Sequence, residues 1–510
     1  EILPVLFPLL QEGLGSDHVW TIEASILALG AVSVGAYNGV EDSLGELFPF
    51  LVKQLQCPIA QVRQMTCWTI SRYLPMIIGK LKAPTELAPF LEALTQSVMD
   101  RNKKAQEYAC SMVAVLAENA GDFLTPYLLP LLEQLMLAFR KYQIKSRMQM
   151  YDTLAYVADA VGPGMENPEA LAVILPPLIE QWDALPDIDP NIHPLFATLG
   201  TVAKNAGLTF QDSALPVFQR SCRIIEAVIF AEGTGQTDEN GDPPDKDFIV
   251  SSLDLLDGLV CGLRGNFEGL AHSSNVLNLL AHCLEDEEDA VRSSALVLIG
   301  DLAGMCPAFL APAANDLAPL VVKNLGSFQA SKVCSNAAWS LGECAMAFGD
   351  EVVGAHVEMA VTRLAFIINK DDCPSRLLEN SAVALGRLSL SSLPRVQPYV
   401  AGFVEGLCLA LQDLESFEER THAFKGLCMI VQNNWEMCMA QCFVRFMLAV
   451  SSWMYYDTET IDLELRNAMA TLIQRFCFEL EQERGREAVE AVLAQMPMEQ
   501  CQYIMEVFMQ

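Results

Sequence analysis

Apolar residues recur at helical spacing along most of the chain, and one very apolar, small-residue helix appears repeatedly. It is seen clearly at 25–30, 67–72, 295–300, 337–342 and 381–386. Asn-Gly pairs occur at 38–39 and 240–241, but neither joins two alternating segments as a hairpin turn would. The pattern therefore predicts an all-α protein.

Each recurring helix carries a small residue at the same place, which we call the zero position. The zero positions are Gly30, Ser71, Ala114, Ala155, Gly258, Gly300, Gly342, Gly386 and Gly426. Their spacings are 41, 43 and 41 residues up to Ala155, and 42, 42, 44 and 40 residues from Gly258 onward. The remaining interval of 103 residues leaves room for one more repeat near Gly200 and an insertion.

A period of about 40 residues with two helices per repeat is typical of HEAT and armadillo repeats. We expect a right-handed superhelical solenoid of eleven to twelve HEAT-type helix pairs, because such apolar helices need cover on several sides. First helices are expected to start near Pro, as at 124–130 and 175–179. An irregular acidic loop is predicted at 231–247, and a C-terminal cap at 485–510.

In stacked pairs the second helices line the concave surface, and positions −3, +1 and +4 from the zero position share one face. We call this face the stripe. It holds Leu27, Trp68, Asp152, Val297, Trp339 and Val383 at −3, Arg72, Asp301, Glu343 and Arg387 at +1, and Glu118 and Asp159 at +4, with Asp254 beside it at −4.

Burying unpaired carboxylates is costly, so the stripe is expected to face solvent. Trp68 and Trp339 would then be exposed as well, and exposed Trp is a frequent binding anchor. A single Trp is by itself more often a core residue, and a single Asp is usually a solvated one. The shared phase across repeats favours the binding interpretation: an extended basic segment lying along the groove.

Charge and chemistry narrow the function further. The formal net charge is −32, which disfavours nucleic acid and anionic lipid and attracts basic partners, although solubility alone is an alternative explanation. The six His are dispersed, and no nucleophile, metal-ligand or phosphate-loop motif is found. We therefore expect neither an enzyme nor a cofactor or metal site.

The 16 Cys lie among apolar neighbours and are expected to be reduced core thiols. This includes Cys438 and Cys442, since a zinc site would need two further ligands. No apolar run approaches the length of a membrane span. Because the chain opens on Glu1, we expect a piece of a longer protein.

The stretch Thr66–Tyr73 resembles the transportin family, β-karyopherins that import proteins bearing PY-type nuclear localisation signals. The resemblance covers almost the whole chain. It continues at 139–143, 151–152, 165–179, 244–248, 298–301, 336–343, 377–380 and 386–387.

The resemblance implies a cargo groove. Leu27, Trp68 and Arg72 would receive the proline-tyrosine end of the signal. Basic residues of the signal would meet Glu118, Asp152, Asp159, Asp254 and Asp301, and its upstream epitope would meet Asn336, Trp339, Asn380 and Val383. Ran GTPase and nucleoporins are the further partners implied for the full-length protein, which would shuttle between cytoplasm and nucleus. A monomer is expected.

The chain departs from the family at three places. Ala197 and Cys261 stand where the family has carboxylates, and Ser331 replaces a larger apolar residue. Weaker binding of the basic middle and upstream epitopes, or another cargo preference, is expected. The resemblance corresponds to the C-terminal portion of a transportin, so the GTPase-binding half would be absent. Two alternatives stay open: a HEAT scaffold that grips folded partners, and a karyopherin of another branch that carries folded basic proteins.

Overall fold

The computed structural model describes residues 3–81, 85–237, 241, 243–414, 416–456 and 461–509. These residues form α-helices linked by short turns and 3₁₀ segments, and no β-strand occurs among them. By its internal contacts the chain divides into unit 1, Glu1–Ala227 with Asp254–Leu263, and unit 2, Val228–Leu253 with Arg264–Gln510. The all-α prediction is confirmed.

Unit 1 is built from helix pairs. Its helices are α1 (Leu3–Leu14), α2 (Val19–Ala31), α3 (Ser33–Val40), α4 (Leu44–Gln54), α5 (Ala60–Ile77), α6 (Leu87–Val98), α7 (Lys103–Ala120), α8 (Leu128–Lys141), α9 (Ile144–Val161), α10 (Pro168–Ala184) and α11 (His193–Ala206). Helices α12 (Gln211–Thr234) and α13 (Asp247–Leu263) each have residues in both units.

Unit 2 continues in the same way. Its helices are α14 (Phe267–Ala271), α15 (Val276–Cys283), α16 (Asp289–Met305), α17 (Pro307–Asn324), α18 (Ser331–Phe348), α19 (Asp350–Val353), α20 (Val357–Ile368), α21 (Ser375–Val396), α22 (Val404–Ala410), α23 (Phe417–Asn433), α24 (Trp435–Gln441), α25 (Phe443–Ser451), α26 (Leu463–Arg484), α27 (Arg486–Leu493) and α28 (Met498–Phe508).

The part of the chain that the structure describes thus contains eleven helix pairs, in line with the HEAT-type prediction. They are α1/α2, α4/α5, α6/α7, α8/α9, α10/α11, α12/α13, α15/α16, α17/α18, α20/α21, α22/α23 and α25/α26. The repeat expected near Gly200 is α10/α11, and Gly200 is buried in α11. The second helices α2, α5, α7, α9 and α11 contact one another in succession in unit 1, as α16, α18, α21, α23 and α26 do in unit 2.

At several junctions between second helices the zero position of one repeat faces position −3 of the next. A Cβ added to Gly386 would lie 2.5 Å from the Cα of Ala423, and one added to Gly200 would lie 3.4 Å from the Cα of Leu255. Ala423 and Leu255 are the −3 residues of the following repeats. The small zero residues are therefore needed for helix contact, as their recurrence indicated.

Buried hydroxyl groups add hydrogen bonds between the same helices. Thr69 Oγ1 donates to the carbonyl oxygen of Ile26 at 2.8 Å, and Thr198 Oγ1 donates to that of Tyr151 at 3.0 Å. Each Thr lies at position −2 and each acceptor at −4 of the preceding repeat. Since a buried hydroxyl without a partner is destabilising, these bonds also fix the register of the stack.

The proline prediction is correct for α8 and wrong for α10. Pro130 lies in the first turn of α8, but Pro176 and Pro177 lie inside α10, which begins at Pro168. The Asn167 side chain accepts a hydrogen bond from the Glu169 N–H at 2.9 Å and caps this earlier start. An N-terminal Pro with a capping Asn is the stronger start signal, so the helix runs through the later pair.

The acidic segment predicted at 231–247 begins as helix, since α12 extends to Thr234. Residues 238–240 and 242 of this segment lie outside the described residues. At its other end Lys246 forms ion pairs of 2.8 Å with both Glu232 and Asp286, and these pairs lie within unit 2. At the predicted cap, α26 ends at Gly485, whose φ of +81° suits a residue without Cβ, and α27 and α28 follow.

The cysteines are core thiols. Twelve of the 16 are buried and four are half-buried, and all are free. Burial raises the pKa of Cys67 and of Cys344 to about 12, so these thiols stay protonated. Cys442 Sγ donates to the carbonyl oxygen of Cys438 at 3.6 Å, within one helical turn.

Candidate functional site

The unit 1 part of the stripe faces solvent for most of its length. Leu27 is 41% exposed on α2, and Trp68 is half-buried on α5. The exposed polar members are Arg72 on α5, Glu118 on α7, Asp152 and Asp159 on α9, and Asp254 on α13. Helical spacing thus places an apolar and cationic end on α2 and α5, and carboxylates on α7, α9 and α13.

The Trp68 ring lies between two second helices. A Cβ added to Gly30 of α2 would come within 2.5 Å of Trp68 Cζ3, so the six-membered part of the indole occupies the space that this glycine leaves. The guanidinium carbon of Arg72 lies 5.8 Å from the Trp68 ring centroid, within cation–π range. Arg72 Nε also donates to Ser33 Oγ at 3.2 Å, which holds the side chain. The ring is therefore partly packed and partly accessible to solvent.

The carboxylates of α7 and α9 are available to a basic ligand. Among the described residues, the ion pairs do not include Glu118, Asp152 or Asp159. Partial desolvation raises the pKa of the Asp152 carboxyl above its ordinary value. A cationic group placed beside Asp152 would relieve this unfavourable environment of the ionised form.

Two exposed aromatics on the unit 1 stripe were missed by sequence reasoning. Tyr156, 52% exposed, lies at +1 on α9 between Asp152 and Asp159. Trp20, 53% exposed, lies on α2 seven residues before Leu27 and therefore on the same face. The phase of the stripe could have identified both, since Tyr156 follows a zero position directly.

The unit 2 part of the stripe is organised around Trp339. A Cβ added to Gly300 of α16 would come within 2.1 Å of Trp339 Cζ3, so this ring packs as Trp68 does, and it is half-buried. The Asn336 amide, one turn before it, donates to Ser293 O at 3.1 Å and to Ser293 Oγ at 2.9 Å. Asp301 is half-buried at +1 on α16.

The stripe is not exposed on α21, which corrects the prediction for two residues. Val383 is 2% exposed and Asn380 is 4% exposed. The Asn380 amide donates to Ser335 O at 3.1 Å and to Ser335 Oγ at 3.0 Å, so it joins α21 to α18. Helical phase places Val383 on the stripe and the family resemblance implies Asn380, but α21 packs closely between α18 and α23, and this covers both residues.

The +1 positions of α18 and α21 form a buried ion pair. Arg387 Nη1 donates to Glu343 Oε1 at 2.6 Å, and the Arg387 side chain is 3% exposed. Burial, together with the nearby Glu419 and Asp301 carboxylates, raises the pKa of Glu343, while the Arg387 guanidinium opposes this. Arg387 therefore serves α18–α21 packing and is not a surface cation.

The three positions that depart from the family pattern lie at or near the surface. Ala197 on α11 and Ser331 at the start of α18 are exposed, and Cys261 on α13 is half-buried. An alanine at the −3 position of α11 leaves that position of the unit 1 stripe without a carboxylate, and the +4 position of the same helix is the exposed Lys204.

No single helix of the described residues has the length and apolarity to cross a membrane. The bent pair Trp435–Gln441 and Phe443–Tyr455 satisfies these two criteria only when taken together, across a bend of 84°.

Comparison with known proteins finds relatives that are named transportin or importin subunit beta-2. A family profile for the HEAT-like repeat matches residues 20–73. The chain is 37% identical to Transportin-1 of Mus musculus over 455 residues, which cover 89% of this chain and 50% of that protein. It is 31% identical to the importin subunit beta-2 of Schizosaccharomyces pombe over 511 residues, which cover 98% of this chain and 55% of that protein. Neither relative is named as an enzyme. The chain spans about half the length of these relatives.

Two karyopherins are among the solved structures with a similar fold. The karyopherin Kap121p bound to the SUMO protease Ulp1p matches with a TM-score of 0.55 and 14% identity, over 99% of this chain and 57% of that one. Importin beta matches with a TM-score of 0.55 and 13% identity, over 100% of this chain and 57% of that one. At these identities the likeness shows the fold, a HEAT-repeat array.

Proposed function

We propose that this chain, a transportin-like protein spanning about half the length of its curated relatives, binds the PY-type nuclear localisation signal of import cargo. The proposal rests above all on unit 1, where a half-buried Trp68 with Arg72 beside it shares a stripe with exposed carboxylates. The similarity to Transportin-1 supports it independently of this geometry.

In this proposal the PY end of the signal packs on Leu27 and Trp68, with Arg72 as a donor to its backbone or tyrosine oxygen atoms. Arg72 has a fixed position because Ser33 Oγ accepts its Nε–H, so little of its side-chain entropy is lost on binding. An exposed Leu beside a half-buried Trp offers apolar contact without any change in the fold.

The basic residues of the signal pair with Glu118, Asp152, Asp159 and Asp254 of unit 1 and with Asp301 of unit 2. The upstream epitope packs on Trp339, with Asn336 beside it. Asn380 and Val383 support this surface from below and make no direct contact, because they are buried. A disordered ligand loses conformational entropy on binding, so several modest contacts are needed for useful affinity.

For the full-length protein we further propose cargo release by Ran GTPase, contact with nucleoporins, and shuttling between cytoplasm and nucleus. The present chain would act as the cargo-binding part.

The test is a fluorescence-anisotropy titration with two labelled peptides, a basic PY-end peptide and an upstream-epitope peptide. Trp68→Ala should weaken the PY-end peptide by at least about tenfold, and Trp339→Ala should do the same to the upstream peptide. Phe123→Ala and Phe478→Ala are matched controls, since both remove exposed aromatic rings outside the stripe.

Failure of both peptides to bind, or binding that neither Trp substitution weakens, would overturn the proposal. If the chain is a scaffold for folded partners, it should bind neither peptide. A karyopherin for folded basic domains would bind such a domain equally well after loss of both Trp residues.

A further inference from the structure

The two Trp anchors share a packing arrangement that no other zero-position glycine in the described part of the chain shows. In each case the residue beneath the indole is the zero-position glycine of the preceding repeat: Gly30 under Trp68, and Gly300 under Trp339. The atoms nearest to a Cβ added at Gly300 are all from the Trp339 ring, at 2.1, 2.7 and 2.7 Å. Real Cβ atoms do not approach ring carbons so closely, so the ring would have to move.

Three junctions show the converse arrangement. There a small or short −3 residue follows a zero residue that carries a Cβ: Ser111 follows Ser71, Asp152 follows Ala114, and Ala197 follows Ala155. Ala423 differs, because it follows Gly386 and the glycine there is needed for close contact with the helix backbone itself. A methyl group is therefore tolerated at the zero position when no indole has to enter the space between the two helices.

We propose that Gly30 and Gly300 are positioning residues for cargo recognition, although the bound peptide would touch neither glycine. Each glycine sets how deeply the indole of the next repeat enters between two helices, and so how much of the ring is presented to ligand. This inference rests on the proposed function, because it assigns the Trp rings their role as anchors.

The physical reason is that an indole is rigid. A flexible side chain could bend away from an added methyl group, whereas the rigid six-membered ring of Trp339 fills the space beside Gly300 of α16. The ring would have to turn about χ1 and stand out from the stripe. Trp339 would then be more exposed and yet bind less well, since it would have lost its defined orientation.

The experiment uses the whole chain with 5-fluorotryptophan, so that each of its six Trp residues gives one ¹⁹F resonance. Trp68→Phe and Trp339→Phe assign the two resonances of interest. Gly300→Ala should shift the Trp339 resonance and increase its solvent isotope shift, and should leave the Trp68 resonance in place. Gly30→Ala should give the reciprocal result.

Binding is measured with the two peptides described above. Gly300→Ala should weaken the upstream peptide about tenfold and leave the PY-end peptide unchanged, while Gly30→Ala should do the opposite. In a Trp339→Ala background Gly300→Ala should have no further effect, because the residue that it displaces is gone. Gly426→Ala is the matched control: its added Cβ would meet the Gly386 carbonyl oxygen at 2.1 Å, a similar clash without an indole.

An unmoved Trp339 resonance in Gly300→Ala would overturn the positioning role on its own. So would an equal loss of binding in Gly426→Ala, or a loss that persists without Trp339. If Gly300→Ala folds poorly, the double variant Gly300→Ala/Trp339→Phe keeps the test decisive, because Phe has a smaller ring. It should bind the upstream peptide better than Gly300→Ala does. If the unaltered chain binds neither peptide, the proposed function fails, while the ¹⁹F comparison still decides the packing.

Discussion

At the scale of single residues, the stripe combines groups that favour binding at some expense to the fold. Asp152 is the clearest example. Desolvation raises the pKa of its carboxyl, so the ionised form is less favourable in the folded chain than in the unfolded one. The carboxylate has no ion-pair partner among the described residues, and in the proposed function a basic residue of the ligand would supply one.

This environment predicts opposite effects of Asp152→Asn on stability and on binding. A raised folded pKa contributes stability at pH values below the unfolded pKa, and this contribution is lost as pH rises through the folded pKa. Near pH 7 the ionised Asp152 therefore destabilises the chain, and Asp152→Asn should raise the thermal midpoint slightly. The gain should shrink toward pH 4.

The same variant should weaken a basic peptide roughly threefold to tenfold, because one charge-assisted contact is lost. Thermal scans at the two pH values, together with an anisotropy titration at pH 7, check both effects. A midpoint that falls at pH 7 would show that Asp152 stabilises the fold and would contradict its assignment to the ligand.

At the scale of helices, neighbouring repeats are joined by a small set of recurring polar contacts. One of them in unit 1 is the pair between Arg63 of α5 and Asp100 after α6. Arg63 Nη2 donates to Asp100 Oδ1 at 2.8 Å, and the two side chains are 15% and 7% exposed. Burial acts to raise the pKa of Asp100, but the hydrogen bonds and charge of Arg63 outweigh it and lower that pKa.

Arg63→Met should therefore destabilise unit 1 by about 3 kcal/mol, since it leaves a nearly buried carboxylate without its partner. The lowered pKa of Asp100 means that the stabilisation is present above the unfolded pKa and is lost as pH falls through the folded pKa. Hydrogen exchange of the α5 and α7 amides in urea measures the change locally.

Lys80→Met is the control for this prediction. The Lys80–Glu41 pair has side chains 59% and 43% exposed, and exposed pairs contribute about 1 kcal/mol or less. Equal losses of stability in Lys80→Met and Arg63→Met would contradict the prediction, because they would show that the buried ion pair stabilises unit 1 no more than the exposed one.

The helices also show what could and could not be predicted from sequence. The recurrence of glycine, serine and alanine at the zero position was sufficient to locate the second helices and even the repeat at Gly200. Exposure was predictable where one helix decides it, as for Glu118 and Asp159. The exposure of Val383 and Asn380 was not predictable, because their burial depends on how closely α18 and α23 approach α21. Helical phase gives no information on that distance.

At the scale of the whole chain, the dominant property is a net charge of −32. This field acts over distances of the order of the Debye length, about 10 Å at 0.1 M salt, and thus before any contact forms. It should increase the rate at which a basic peptide meets the stripe more than it lengthens the lifetime of the complex.

Stopped-flow measurements should then show an association rate that falls about tenfold between low and moderate salt, with a much smaller change in the dissociation rate. An uncharged PY-end peptide, with its basic residues replaced by Gln, should lose most of this salt dependence. A salt effect confined to the dissociation rate would contradict this prediction. It would show that charge acts through short-range ion pairs in the complex, and not through long-range attraction before contact.

The register between successive second helices limits which segments of such an array can be exchanged during evolution or by grafting. An anchor of this kind is a composite of two repeats, because the indole belongs to one and the space it fills belongs to the one before. A helix pair is therefore not the natural unit of exchange. A graft that carries Trp339 without Gly300 would transfer the indole ring but not the space between the helices that it fills. A transferable module would therefore have to run from the middle of one repeat to the middle of the next.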